Sequence, residues 1–247
     1  MTTRLTSVVI DAADPQRLSR FWAELLGWPV TFDDPGEVDV ELAPGAVAWG
    51  DGGTPCLTFV PVGDPKVGKN RVHLDLVSAT DRAQQDTVER ALALGAHRID
   101  IGQSDVAWEV LADPEGNEFC VLEPREDYAG ARGIAAVVLD CLDPPTLAGF
   151  WSQATGWPVV ASSSRFAVLQ DAAGAATRLE LLAVPEPKRT KNRLHLDVAP
   201  TADDDLDVEV RRLEAAGARR IDIGQGEVTW VVLADPEGNE LCVLTPR

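Results

Sequence analysis

Lys69-Asn70-Arg71-Val72-His73-Leu74-Asp75 returns 122 residues later as Lys191-Asn192-Arg193-Leu194-His195-Leu196-Asp197. In the same register Arg98-Ile99-Asp100-Ile101-Gly102-Gln103 returns from Arg220, and Leu111-Ala112-Asp113-Pro114-Glu115-Gly116-Asn117-Glu118 returns from Leu233. Nearer the start of each copy, Phe21-Trp22 with Gly27-Trp28-Pro29-Val30 matches Phe150-Trp151 with Gly156-Trp157-Pro158-Val159, now 129 residues apart. The second copy is therefore seven residues shorter, and the loss falls around Pro35 to Gly53, where Asp, Pro and Gly crowd together. A period this long makes each copy a domain and not a solenoid repeat. The expected domains are 1–126 and 131–247, joined by a charged linker near Pro124 to Gly133.

Within a copy the local signals read as strand, helix and three strands, twice over. Val8-Val9-Ile10 is a short apolar strand, and Asp14-Pro15 starts a helix, with Asp as N-cap and Pro where its missing N–H costs nothing. Leu18, Phe21, Trp22, Leu25 and Leu26 fall on one helical face, and Gly27 suits the left-handed position past its end. Strands are predicted at Trp28–Phe32, Val38–Leu42 and Cys56–Val60. The pattern then restarts with a strand at Val72–Val77, a helix over Asp81–Leu94, and strands near Arg98–Ile101, Ala107–Leu111 and Glu118–Leu122. Asp113-Pro114-Glu115-Gly116-Asn117 carries hairpin turn chemistry and is read as architecture.

Composition narrows the function. The chain has 40 acidic against 22 basic residues, a formal charge of −18, and that field repels phosphate backbones. Nucleic acid is not an expected partner. The N-terminal residues lack the apolar run of a secretory signal and no stretch approaches a membrane span, so cytoplasm is the expected compartment and no membrane the expectation. Four cysteines without a CxxC pair are expected to be reduced thiols.

The unit order, the Asp-Pro-x-x-Leu-x-x-Phe-Trp helix, the Asn-Arg-x-His-Leu-Asp strand and the Asp-Pro-Glu-Gly-Asn hairpin together resemble the vicinal oxygen chelate superfamily, in particular its glyoxalase/bleomycin-resistance/dioxygenase type. The resemblance covers nearly the whole chain, twice. It implies an α+β fold of four βαβββ units forming two glyoxalase-like domains, with curved mixed sheets around clefts. It also implies, for metal-dependent members, a His or Gln on the first strand, a Glu ending the first unit, a His opening the second unit and a Glu on its last strand. Carried onto this chain, the first position is Ser7 or Ala136, neither a strong ligand. His73 and His195 fit the third. Cys120 and Cys242 stand at the fourth, and Glu180 or Cys56 at the second.

Strand alternation puts Arg71, His73 and Asp75 on the cleft face, with Val72, Leu74 and Leu76 beneath the helix. Cys120 shares the cleft face with Glu118 and Leu122. A zinc-like site of Cys56, His73 and Cys120, with Glu180, His195 and Cys242 as its twin, competes with a Cys–His nucleophilic pair and with a metal-free pocket. Trp108 and Trp230 offer faces for a planar ligand, core packing being the alternative. Lys69, Arg71, Lys191 and Arg193 either hold an anion or pair with neighbouring carboxylates.

The reading that follows is a small-molecule binding protein of this type with no cofactor and without the usual metal site. A metal-dependent lyase, isomerase or dioxygenase, with a divalent metal such as zinc acting on vicinal oxygens, is the alternative. A cleft well below roughly 300 Å³ favours instead an interaction module. Tandem duplication supplies the pairing that single-copy relatives obtain by dimerising, so a pseudo-dimeric monomer is expected.

Overall fold

The computed structural model describes residues 3–43, 53–103, 105–172 and 177–247. Four units of one plan follow one another. The first is β1 (Arg4–Ala12), α1 (Pro15–Leu26), β2 (Val30–Asp34), β3 (Glu37–Val40) and β4 (Cys56–Pro61). The second is β5 (Val72–Leu76), α2 (Asp81–Ala93), β6 (His97–Arg98), β7 (Glu109–Ala112) and β8 (Glu118–Val121). The third is β9 (Ile134–Cys141), α3 (Pro144–Thr155), β10 (Val159–Ser162), β11 (Phe166–Leu169) and β12 (Arg178–Ala183). The fourth is β13 (Leu194–Ala199), α4 (Leu206–Ala215), β14 (Arg219–Arg220), β15 (Val231–Ala234) and β16 (Glu240–Val243).

Local chemistry sets the helix ends. Asp14 Oδ1 accepts from Arg17 N at 3.0 Å, Pro15 opens α1, and Gly27 closes it at φ 69°. Asp143, Pro144 and Gly156 repeat the arrangement on α3. The strand expected near Arg98–Ile101 shrinks to His97–Arg98, because Asp100 Oδ1 accepts from Gly102 N at 2.8 Å and turns the chain out of the sheet. The β3–β4 connection, residues 41–55, is seven longer than the β11–β12 connection, residues 170–177.

The strands form two eight-stranded mixed sheets. The first runs β14-β15-β16-β13-β1-β4-β3-β2 and the second β10-β11-β12-β9-β5-β8-β7-β6. Each sheet joins one unit from each sequence copy through antiparallel pairing of opening strands, β1 with β13 and β5 with β9. The linker therefore stays on the second sheet, while the chain crosses between sheets after β4 and after β12. The copies and the sheets divide the chain differently.

One apolar core joins the helix-covered faces of both sheets. Phe119 of β8 lies 5.1 Å from the Trp22 ring of α1, in edge geometry, and both are buried. Trp22 Nε1 donates to Asp113 Oδ2 at 3.3 Å, and Trp151 does the same to Asp235. Val72, Leu74 and Leu76 belong to this core, so His73 and Asp75, of opposite parity, face the other way.

The Lys and Arg of the repeated Lys-Asn-Arg triplet clasp the copies together, while the Asn bonds within its own copy. Lys69 pairs with Asp140 and Lys191 with Asp11. Arg71 donates to the carbonyls of Glu186 and Asp140, both at 2.7 Å. Arg193 donates to those of Asp64 at 2.7 Å and Asp11 at 2.8 Å. These cations are consumed by contacts between copies, which leaves the anion-holding alternative without support.

Candidate functional site

Pairing across copies decides which site residues meet. In the first sheet His195 stands opposite Val9 and Asp197 opposite Ser7, while Ser7 and Val9 stand beside Cys56 and Thr58 on β4. In the second, His73 stands opposite Val138 and Asp75 opposite Ala136, with Arg178 and Glu180 of β12 on the far side. Cys56 thus shares a sheet with His195 and Cys242, and Glu180 with His73 and Cys120. This corrects the grouping of Cys56 with His73 and Cys120, and of Glu180 with His195 and Cys242, expected from a sequence that leaves open whether units pair within a copy or across copies. The register also makes Thr58 the counterpart of Glu180, and Arg178 that of Cys56, two residues from the expected equivalence.

The four positions from which the resemblance would present a metal therefore carry Ser7, Thr58, His195 and Cys242 on the first sheet. On the second they carry Ala136, Glu180, His73 and Cys120. Ser7 and Ala136 bring no strong donor, and Glu180 Oε1 already accepts the Tyr128 hydroxyl at 2.6 Å. The usual ligand set does not fit either face.

A different cluster is present on both. His73, Asp75 and Cys120 bring one ligand atom each within 4.8 Å of one another, and so do His195, Asp197 and Cys242. His73 Nε2 lies 3.5 Å from Asp75 Oδ1, and His195 Nε2 lies 3.4 Å from Asp197 Oδ1 and 3.4 Å from Cys242 Sγ. Burial pushes both imidazoles down to about 3, and both aspartates up to about 7. At neutral pH the histidines are uncharged, so these approaches are not ion pairs. Burial also pushes the Cys120 and Cys242 thiols upward, and the neighbouring aspartates add to it. An uncharged imidazole beside a thiol of raised pKa is a poor thiolate generator, so the nucleophilic-pair reading loses its basis.

The surroundings of the two trios differ. On the second face the linker turns in as a 3-10 helix, Glu126–Tyr128, and buries Tyr128 against Cys120, Leu122 and Ala135. Arg178 lies 5.1 Å over the Tyr128 ring, and Arg125 lies 5.5 Å over that of Trp108. A cavity of about 320 Å³ adjoins the linker, lined in part by Val77, Ser78, Arg125 and Tyr128. Neither His73 nor Cys120 lines it. On the first face the corresponding ground is acidic. Thr58 donates to Asp39 Oδ1 at 2.7 Å, and Asp39, Glu41 and Cys56 form a further compact cluster. Burial raises the pKa of Asp39 and Glu37.

Trp108 is half-buried and donates to Gln103 Oε1 at 2.9 Å, at the rim of the second face. Trp230 is 38% exposed. Sequence reasoning placed Asp75 on the cleft face without giving it a part, and missed Asp197, Thr58, Asp39, Arg178 and Tyr128. The signal for the aspartates was the repeated His-Leu-Asp, and for Tyr128 that it is the one tyrosine of the chain, set in the linker.

The glyoxalase-like domain model matches the sequence over residues 7–122 and again over 136–244. No curated protein matches. Among solved structures, glyoxalase I from Zea mays aligns at 14% identity and TM-score 0.65, over 99% of this chain and 92% of that one. A putative dioxygenase from Bacillus subtilis aligns at 15% and 0.64, over 99% and 85%. At these identities the likeness is one of fold. With two matches that together span most of its length, the chain belongs to the glyoxalase-like domain family.

Proposed function

We propose that this chain is a cytoplasmic, monomeric protein that binds a small molecule bearing hydrogen-bond donors or positive charge on the polar face of its first sheet. What carries this reading is a pair of buried polar atoms without hydrogen-bond partners, beside a row of carboxylates, on a face that lacks the family's usual metal-binding residues. His195 Nδ1 and Asp197 Oδ1 have no hydrogen-bond partner, and an unmet polar group in such a setting costs about 1–3 kcal/mol. Asp39 and Glu37 add carboxylates to the same face, which suits a ligand that brings donors or positive charge. His195, Cys242, Cys56 and Thr58 are the contacts we assign to it. On the second face His73, Cys120, Glu180 and Trp108 are the matching contacts, with Tyr128 packed against Cys120 and bonded to Glu180.

Ligand-observed NMR on EDTA-treated protein tests this, with a library split into amines, neutral polyols and carboxylates. The expected result is saturation transfer to amines or polyols, lost in Asp197→Ala and retained in Asp75→Ala. Binding confined to carboxylates, or binding indifferent to Asp197→Ala, refutes the assignment.

A further inference from the structure

The cavity of about 320 Å³ lies under the linker, and most of its wall comes from residues between the two stretches that match the glyoxalase-like domain. Its frame is a loop with pinned ends. Leu122 N donates to Leu76 O at 2.9 Å and Val77 N donates to Gly133 O at 3.0 Å, so residues 123–132 leave and rejoin the sheet at adjacent positions of one strand end. Loops closed in this way are packed by their own side chains and frequently carry function. Here Tyr128 turns inward, and space remains between it, Val77 and Ala129. The second copy has Pro200 where Ser78 stands, and the Pro200 carbonyl accepts from Arg247 N at 3.2 Å, so the arrangement is not repeated there.

Three polar groups on this wall have bonding capacity to spare. Ser78 Oγ is buried without a hydrogen bond, in a residue 4% exposed, and such a group calls for an explanation. Arg125 donates through Nε to Glu123 Oε1 at 2.7 Å and is steadied 5.5 Å over the Trp108 ring, but its terminal nitrogens bond to nothing among the described residues. The Glu126 carboxylate, on an exposed residue, forms no hydrogen bond or ion pair among the described residues. A guanidinium edge matches a carboxylate through paired N–H···O bonds, and a carboxylate matches an ammonium. The formal charge of −18 opposes a ligand of net negative charge, and Arg125 opposes a simple cation. A ligand that carries both charges and no net charge meets neither objection. We propose that the linker cavity binds a small zwitterion with an apolar side chain, the chemistry of a free aliphatic amino acid. Its carboxylate lies on Arg125, its ammonium on Glu126, and its side chain against Val77, Tyr128 and Ala129, with the Ser78 hydroxyl free to give or take a bond. At about 30 Å³ for each water-sized atom the cavity holds roughly ten, which is the size of leucine.

None of the groups assigned to the first-face ligand takes part, so the two sites stand or fall separately. Asp197→Ala, which removes the first, leaves every residue of the linker cavity in place.

Amide chemical-shift titration of the full chain tests this with leucine, with isocaproate, which lacks the ammonium, and with isoamylamine, which lacks the carboxylate. Leucine is expected to move the Ser78, Arg125 and Ala129 signals and to leave that of Asp197 in place. At those three residues isoamylamine should bind at least about tenfold more weakly, having lost the paired bonds to Arg125. Isocaproate should bind at least about threefold more weakly, since an ammonium on an exposed carboxylate contributes less. Arg125→Gln should weaken leucine at least about tenfold. Ala129→Leu, which adds bulk to the wall without removing either charge, should abolish binding, with the fold of both variants checked by circular dichroism. No leucine-dependent shift at these residues overturns the proposal. So does isocaproate within threefold of leucine there, or isoamylamine within tenfold, or leucine affinity unchanged in Ala129→Leu or Arg125→Gln.

Discussion

Replacing Asp113 by alanine tests whether the hairpin is more than a turn. Its carboxylate is fully buried and accepts four N–H groups: Glu115 N and Asn117 N on Oδ1, both at 2.9 Å, and on Oδ2 Asn117 Nδ2 at 2.9 Å and Trp22 Nε1 at 3.3 Å. The Glu115 amide lies near the surface and recovers water. The Trp22 indole and the Asn117 groups do not, and donors stranded in such places cost about 1–3 kcal/mol each. Allowing for relaxation, Asp113→Ala should destabilise by about 2–4 kcal/mol, which for a chain of this size lowers the melting temperature by roughly 4–16 °C. Asp113→Asn should lie close to it, since the new amide group faces two donors where Oδ2 accepted them. Asp235→Ala is the internal replicate, because Asp235 accepts from Trp151 and Asn239 in the same way. In a double-mutant cycle by urea denaturation, Trp22→Phe should reduce the cost of Asp113→Ala by at least about 0.5 kcal/mol. A melting temperature for Asp113→Ala within a degree of the unaltered chain, or strict additivity with Trp22→Phe, would show that this carboxylate does not tie helix to hairpin.

The buried His–Asp pairs should shape acid stability. Each histidine falls from 6.5 unfolded to about 3 folded, so its contribution is lost as pH drops below 6.5, at up to about 1.4 kcal/mol per pH unit. Each aspartate rises from 3.8 to about 7, so its folding penalty is relieved as pH drops from 7 towards 3.8. These slopes oppose one another, so with EDTA present the four groups together should contribute a nearly constant share of the stability between pH 6.5 and 4. The double variant Asp75→Asn, Asp197→Asn should lose stability steadily across that window, and parallel urea midpoints for the two chains would remove the argument. Tyr128→Phe deletes the 2.6 Å hydroxyl bond to Glu180, and we expect a loss of about 1–3 kcal/mol, read from a lowered urea midpoint at unchanged slope. No change in that midpoint would mean that the linker is held by packing alone. Burial raises all four thiols, Cys141 to about 12, so at pH 8 the native chain should react with Ellman's reagent far more slowly than the urea-unfolded chain. Any cysteine titrating at once in the native state contradicts these environments.

Much of the architecture was legible because its signals are local. An Asp-Pro start, a left-handed glycine stop and a helical stripe of Leu, Phe and Trp fix α1 and α3 within a few residues of chain. Strand parity likewise turned His73, Asp75 and Cys120 to one side, since alternation follows from the backbone itself. The hairpin showed as a turn, but its aspartate's bond to a tryptophan 91 residues away in sequence has no local trace.

What the sequence alone determined is the repeated unit, its helix and turn boundaries, and the face of each strand. Which units share a sheet was settled only in three dimensions. Val72-His73-Leu74-Asp75-Leu76 and Leu194-His195-Leu196-Asp197-Val198 offer nearly the same edge to a partner strand, so nothing in either stretch selects β9 for one and β1 for the other. That choice moved Cys56 to the histidine of the other copy, brought Glu180 under the linker tyrosine, and left two unlike sites built on the same three residues. Pairing between strands depends on connections and on a core shared by the whole chain, and neither is written at the positions that meet.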